Sequence, residues 1–130
     1  MLQEKQDKPT GSKKTALKQK TKKNKYPEEL RSGMTVRVHE KIKDVDPKGK
    51  ERTRVQIFEG IILAVKKPKT PSGTILVRKI SHNNIGVEKI FPLRSPLIDK
   101  IEILKEIKTR RSKLYFLATY KKKLKLKKKR

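Results

Sequence analysis

The residues of this chain best equipped for chemistry are its lysines and arginines, and they crowd toward its ends. Lys108 to Arg130 holds twelve of them and no acidic residue. Arg110, Arg111 and Lys113 open that stretch, and Lys121, Lys122, Lys123, Lys125, Lys127, Lys128, Lys129 and Arg130 close it. Cationic groups without carboxylates among them are suited to neutralising phosphates. Each phosphate neutralised releases condensed counterions, which gives an affinity that is large, indifferent to sequence and sensitive to salt. Arginine adds a planar fork that grips phosphate oxygens in pairs. The middle of the chain offers smaller basic sets at strand positions, Arg52 with Arg54 and Arg78 with Lys79. Contacts of this kind position a protein on nucleic acid without reading its bases. Lys66 and Lys67 read instead as part of a solvated face.

Catalysis has no comparable set. His39 falls on the outward face of an expected strand and His82 at a loop tip, both as ordinary polar positions. No Gly-rich phosphate loop, carboxylate pair or metal-ligand spacing occurs. The chain has no cysteine, so thiolate ligands and disulfides are absent too. Glu59 is the one acid in a strongly apolar run. A general acid needs a partner and a cleft, so Glu59 reads as a buried or bulge-associated structural residue. The sequence predicts no enzyme, no cofactor and no bound metal.

The formal net charge of +25 divides unevenly, with +7 on residues 1–25, +6 on residues 26–107 and +12 on residues 108–130. A compact domain carrying such charge alone repels itself, so the chain expects a polyanion. A membrane surface fits poorly, because the flanks lack the aromatic and leucine face of an interfacial helix and carry no lipidation signal. The longest apolar run, Ile61 to Val65, is five residues, against about 18 for a membrane span. The first residues lack an apolar core of the signal-peptide kind and contain Glu4 and Asp7, so the expected compartment is the cytosol. Charge alone does not separate DNA from RNA. With three Tyr and three Phe in the whole chain, stacking of bases on an exposed aromatic platform is not the expected main mode.

Three segments follow from composition. Residues 1–25 hold too little apolar surface to offset the entropy of ordering and are expected to be disordered in the free protein. Residues 26–118 form the body, and residues 119–130 a basic tail that is likewise expected to be disordered in the free protein. Pro27, Glu28 and Glu29 suit one short helical turn ending at Gly33. Val36, Val38 and Ile42 then alternate with charged residues, as in a half-buried strand. A polar loop with Pro47 and Gly49 leads to a long strand, Arg54 to Lys67. In that strand Val55, Ile57, Ile61, Leu63 and Val65 share one phase, with Glu59 among them. The pattern therefore expects Gly60 to mark a bulge or bend that re-aims Glu59. Further strands are expected over Thr74–Ile80, Val87–Leu93 and Ile98–Ile107, with turns at Pro68–Gly73 and His82–Asn84. Five short β-segments without a helical period between them predict an antiparallel all-β barrel or sandwich. Leu114 to Leu117 is expected to pack one last turn against it.

Several collinear blocks resemble the bacterial large-subunit ribosomal protein L-nineteen family. They are Arg54-Val55-Gln56-Ile57-Phe58-Glu59-Gly60-Ile61-Ile62, Val77-Arg78-Lys79-Ile80-Ser81, Gly86-Val87-Glu88-Lys89-Ile90-Phe91, Ser95-Pro96-Leu97-Ile98, and Arg110-Arg111-Ser112-Lys113-Leu114-Tyr115-Phe116-Leu117. Together they cover residues 30–118 in family order. The resemblance implies an SH3-like barrel that binds large-subunit rRNA at the face meeting the small subunit. It also implies a share in an inter-subunit bridge to small-subunit rRNA, with neighbouring large-subunit ribosomal proteins as further partners. The sequence departs from the family pattern at several points. The opening turn keeps only Gly33, Arg94 stands where His is usual, Ala118 replaces Arg, and the ending is Lys-rich. The roles of both tails therefore rest on charge. The combined expectation is a non-enzymatic rRNA-binding protein using Arg54, Arg78, Lys79, Arg94, Arg110, Arg111, Lys113 and the tail. The alternative is a small-barrel DNA-binding architectural or transcription-associated factor.

Overall fold

The structure, a computed structural model, describes residues 29–128. The expected disorder of residues 1–25 lies outside that range, as do Lys129, Arg130 and most of the expected first helical turn. Within the range the chain runs β1 (Met34–Val45), β2 (Glu51–Lys66), β3 (Thr74–Ile80), β4 (Gly86–Pro92), β5 (Ile98–Glu106) and a 3-10 turn, η1 (Tyr115–Ala118). All strand pairs are antiparallel, in the order β4-β3-β2-β1-β5. Glu29 to Gly33 makes a turn rather than a helix, and it buries Leu30.

One core draws on every strand: Val36 and Val38 of β1, Phe58 and Ile62 of β2, Ile75 and Val77 of β3, Phe91 of β4, and Ile98 and Ile101 of β5. Strands at opposite ends of a five-stranded order can share a core only if the sheet rolls up. Lys89 of the edge strand β4 confirms the roll by pairing with Glu40 of β1. The result is a small SH3-like antiparallel barrel with an open seam, since β4 and β5 do not pair with each other. The alternation on β3 and β4 sets Ile75 against Phe91 and Val77 against Lys89 in register. Phe91 then meets Phe58 edge to face, with centroids 5.4 Å apart, the geometry that ring quadrupoles favour.

Gly33 clasps the barrel at the start of β1. Its N–H donates to Ile62 O and its carbonyl accepts from Ile107 N–H, each at 2.9 Å. Its φ of +88° is left-handed, and a Cβ there would lie 2.4 Å from Thr109 Cγ2, so a side chain is refused on both grounds.

Two expectations for β2 need correction. The β1–β2 register is unbroken from Thr35↔Ile61 to Val45↔Glu51, so Gly60 marks no bulge. The slip lies further on, between Ile62 and Ala64 in the pairing with β3. The buried phase before it is Phe58, Gly60 and Ile62, while Val55, Ile57 and Glu59 face solvent. After the slip Leu63 and Ala64 are both buried. Glu59 is not buried; it pairs with Arg37 across the strands at 2.9 Å. Gly60 is required for a different reason. A Cβ there would lie 2.4 Å from Arg78 O and 2.9 Å from Val77 Cγ1, so glycine lets β3 close onto β2.

The hairpin of β1 and β2 is longer than the sheet beside it. The pairing of β5 on β1 stops at Glu40 and that of β3 on β2 begins at Ile61. Beyond a last bond from Lys41 N–H to Leu97 O, 2.7 Å long, residues 42–55 form a two-stranded ribbon that extends past the body.

Candidate nucleic-acid interface

The C-terminal quarter builds the main basic surface. After β5 the chain passes Ile107 and turns through Lys108–Lys113, all exposed except the half-buried Thr109. Leu114 then anchors it. Its side chain is buried and its N–H donates to Leu63 O at 2.9 Å, inside the strand slip described above. The expected packing of Leu114 to Leu117 on the body is therefore borne out through Leu114. The anchor holds Arg110, Arg111 and Lys113 at the barrel surface instead of letting them trail.

The tail, expected to be disordered, instead returns to the body over residues 125–127. Ile107 and Leu126 form an antiparallel bridge, Lys108 N–H donates to Lys125 O at 3.0 Å, and Lys127 N–H donates to Glu106 O at 2.9 Å. The Lys127 ammonium also meets Glu106 Oε1 at 2.9 Å. This return brings Lys123 and Lys125 beside Lys108, Arg110 and Arg111 around one hollow. An adjoining hollow is edged by Arg31, Lys105, Lys127 and Lys128. The sequence reading missed Lys105, Lys108 and Arg31 as members of this surface. Arg31 and Lys105 stand outside the acid-free stretch and Lys108 is its first residue; only the fold-back of the chain brings the three beside Lys123, Lys125 and Lys127.

The remaining expected contact residues sit elsewhere and line neither hollow. Arg54 lies on the ribbon, 65 % exposed, with Nε 2.6 Å from Asp44 Oδ2. Its neighbour Arg52 pairs with Asp46 at 2.8 Å in the same manner. These carboxylates fix the guanidinium planes while leaving them largely open. Arg78 is placed differently, only 19 % exposed and 2.8 Å from Glu88 on the adjacent strand. To touch a phosphate it must share or exchange that partner. Lys79 lies 4.6 Å from the centroid of the Phe58 ring, a cation–π contact at the mouth of the core. Arg94 is exposed in the β4–β5 turn, and Lys113, Lys121 and Lys122 are exposed as well.

The outer face of β1 and β5 carries a mixed cluster. Arg37 bonds Glu59, and His39 Nε2 lies 3.4 Å from Glu102 Oε2 without hydrogen-bonding geometry. His39 is on the outward face as expected, but it is buried there, flanked by its register partners Ile57 and Lys100. The Lys100 ammonium bonding Glu102, and behind it His39, holds the Glu102 carboxyl below the usual carboxylate range. This face pairs its charges internally, whereas the C-terminal surface leaves most of its cations without acids.

A family model described as Ribosomal protein L19 matches residues 13–129. The large ribosomal subunit protein bL19 of Anaeromyxobacter sp. (strain Fw109-5) is 46 % identical over 89 residues, covering 68 % of this chain and 62 % of that protein. The bL19 proteins of Thermosipho melanesiensis and Thermosipho africanus are 46 % and 45 % identical over 102 residues, covering 78 % of this chain and 84 % of theirs. The chain thus spans less than two thirds of the Anaeromyxobacter relative and most of the other two. A match over nearly its whole length, with this identity to several relatives, means that the chain belongs to the ribosomal protein L19 family.

Proposed function

We propose that the protein is a structural, non-enzymatic constituent of the large ribosomal subunit in the cytoplasm, holding rRNA by phosphate and sugar contacts. The observation that carries this reading is the C-terminal surface, where Leu114 and the Ile107–Leu126 bridge gather cations from residues 108–125 into one patch. Such a surface neutralises backbone charge where RNA strands converge, and it demands no base sequence. Arg54, Arg78, Lys79 and Arg94 supply further contacts around the barrel, which docks by shape. On this reading the barrel lies at the face of the large subunit that meets the small one, as the family resemblance implies. There it helps form a bridge to small-subunit rRNA beside neighbouring ribosomal proteins. Residues 26–118 are the docking body, the C-terminal flank completes the basic patch onto which it folds back, and the N-terminal flank is an arm that reaches between RNA helices.

The test is a salt series. The full chain should bind large-subunit rRNA with a steep fall of log affinity against log salt. The pair of substitutions Arg110→Ala and Arg111→Ala, both exposed, should leave the barrel folded and reduce that slope by about two, one for each lost phosphate contact. An unchanged slope removes both residues from the interface. Sedimentation separates the alternative: the ribosomal protein stays with the large subunit through a moderate-salt gradient, and a DNA-bound architectural factor does not.

A further inference from the structure

Five aromatic rings lie among the described residues, and the fold sorts them sharply. Phe58 and Phe91 are in the core, whereas Tyr115, Phe116 and Tyr120 are 49 %, 39 % and 43 % exposed within one short stretch. Phe116 and Tyr120 meet edge to face, with centroids 5.6 Å apart at 84°. The Arg111 guanidinium lies over the Phe116 ring, 5.4 Å from its centroid. Phe116 and Tyr120 line a cavity of about 590 Å³ together with Ile107, Leu114, Leu117 and Leu124. Lys108, Arg110, Arg111, Lys123 and Lys125 share that lining, and no acid does. Small-molecule sites span about 300–1,000 Å³, so the space suits a ligand of nucleotide size.

We propose that this cavity receives one unpaired nucleotide of the bound RNA, its base against Phe116 and Tyr120 and its phosphates on the surrounding cations. The proposal rests on the rRNA-binding reading and adds a ligand state to it, a base outside any duplex. Charge and lining argue together for this occupant. An apolar peptide segment would match the leucines but leave five cations unanswered. A continuous duplex would answer the cations but present only base edges, while the lining offers carbon and ring faces. An unpaired nucleotide brings a π-face and a phosphate in one unit. Every base has such a face, so capture is indifferent to base identity. Arg111 serves both halves, because a guanidinium stacks on rings and bonds phosphate. The scarcity of aromatics in the sequence had argued against stacking as the main mode. A single captured base needs only the two rings that the η1 turn and the tail bring together.

The experiment compares two RNA hairpins with equal numbers of phosphates, one fully paired and one with a single unpaired fluorescent purine analogue. The full chain is titrated into each at about 0.15 M salt, where the Debye length is about 8 Å. The bulged hairpin should bind about tenfold tighter, as expected for one stacked base, with its fluorescence quenched. Phe116→Leu combined with Tyr120→Leu keeps the apolar lining and removes the rings. It should abolish both the preference and the quenching while leaving affinity for the paired hairpin unchanged. Tyr120→Phe, which keeps the ring, should retain both. Equal, salt-sensitive binding of the two hairpins by the unaltered chain overturns the capture and leaves the rRNA reading standing. A preference that survives the double substitution overturns it as well, since the base then sits elsewhere. Weak, salt-insensitive binding to both hairpins overturns the two readings together.

Discussion

Gly60→Ala offers the sharpest check on the barrel. A methyl group there would sit 2.4 Å from the carbonyl oxygen of Arg78, 2.8 Å from its carbonyl carbon and 2.9 Å from Val77 Cγ1. Ordinary van der Waals contact begins at 3.4 Å, so β3 must retreat by about 1 Å along this stretch. Two of the three offended atoms are backbone, and no rotamer change can move them. The junction lies inside the strand order β4-β3-β2-β1-β5, so a gap there parts Ile75, Val77 and Phe91 from the remainder of the core. Overpacking in a tight interior costs about 1–3 kcal/mol, and atoms that cannot rotate away place this case toward the upper end. Restricting the unfolded chain returns about 0.4–1 kcal/mol. A net loss of about 2 kcal/mol lowers the melting temperature of a domain this size by roughly 8–16 °C. Circular dichroism melts at fixed salt measure it, with Val55→Ala on the exposed ribbon as a comparison expected to stay within about 0.5 kcal/mol. A Gly60→Ala protein that melts with the parent or above it would refute the claim that close strand approach is why glycine stands there.

Leu114→Ala should cost about 3 kcal/mol by removing the buried anchor, and calorimetric or urea unfolding measures it. If stability is unchanged, residues 108–118 are held by something else. Deleting residues 119–130 should lower the melting temperature modestly and leave the barrel folded, because the segment adds two backbone hydrogen bonds beside the end of β5 and one exposed ion pair among the described residues, Lys127 with Glu106. The same deletion should cut rRNA affinity strongly at low salt and weakly at high salt in a filter-binding series. Equal low-salt affinity would show the tail to be idle. Glu102 should titrate below the ordinary carboxylate range by carboxyl NMR, since Lys100 and His39 favour its charged form. Its folded-state value is depressed, so its contribution to stability is present above the unfolded value and disappears as pH falls through the folded one. Lys100→Met should move the midpoint upward.

The all-β class, the turns at Pro68–Gly73 and His82–Asn84, and the last three strands were legible because alternation and turn residues are local signals. The phase of β2 was not. Val55, Ile57, Ile61, Leu63 and Val65 look like one buried row, yet Val55 and Ile57 lie exposed near and beyond the point where neighbouring strands stop covering the pair. Burial there depends on where β3 begins to pair, which no window of β2 encodes. His39 has the same cause in reverse. Its alternation is outward, but Lys100 and Glu102 come from a strand some sixty positions later. At the candidate interface, charge marked Arg110, Arg111 and the tail lysines from sequence alone. The grouping of Lys108 with Lys123 and Lys125 needed the Ile107–Leu126 bridge, a contact between two stretches with no periodic pattern.

The ribbon of residues 42–55 has a bearing on how the free protein behaves in solution. Each of its strands turns one unpaired row of N–H and C=O groups outward, the template on which another strand adds itself. Its side chains carry five cations against Asp44, Asp46 and Glu51, two of them paired with Arg54 and Arg52, on a molecule whose formal charge is +25. Two copies approaching edge to edge repel before their backbones can meet. The surplus charge thus acts as a solubility device, holding copies of the free chain apart. That protection has a limit set by the solvent. The Debye length falls from about 8 Å at physiological salt to about 3 Å at 1 M. Concentrated salt therefore lowers the barrier between copies, and the free protein should self-associate more readily at about 1 M salt than at physiological salt.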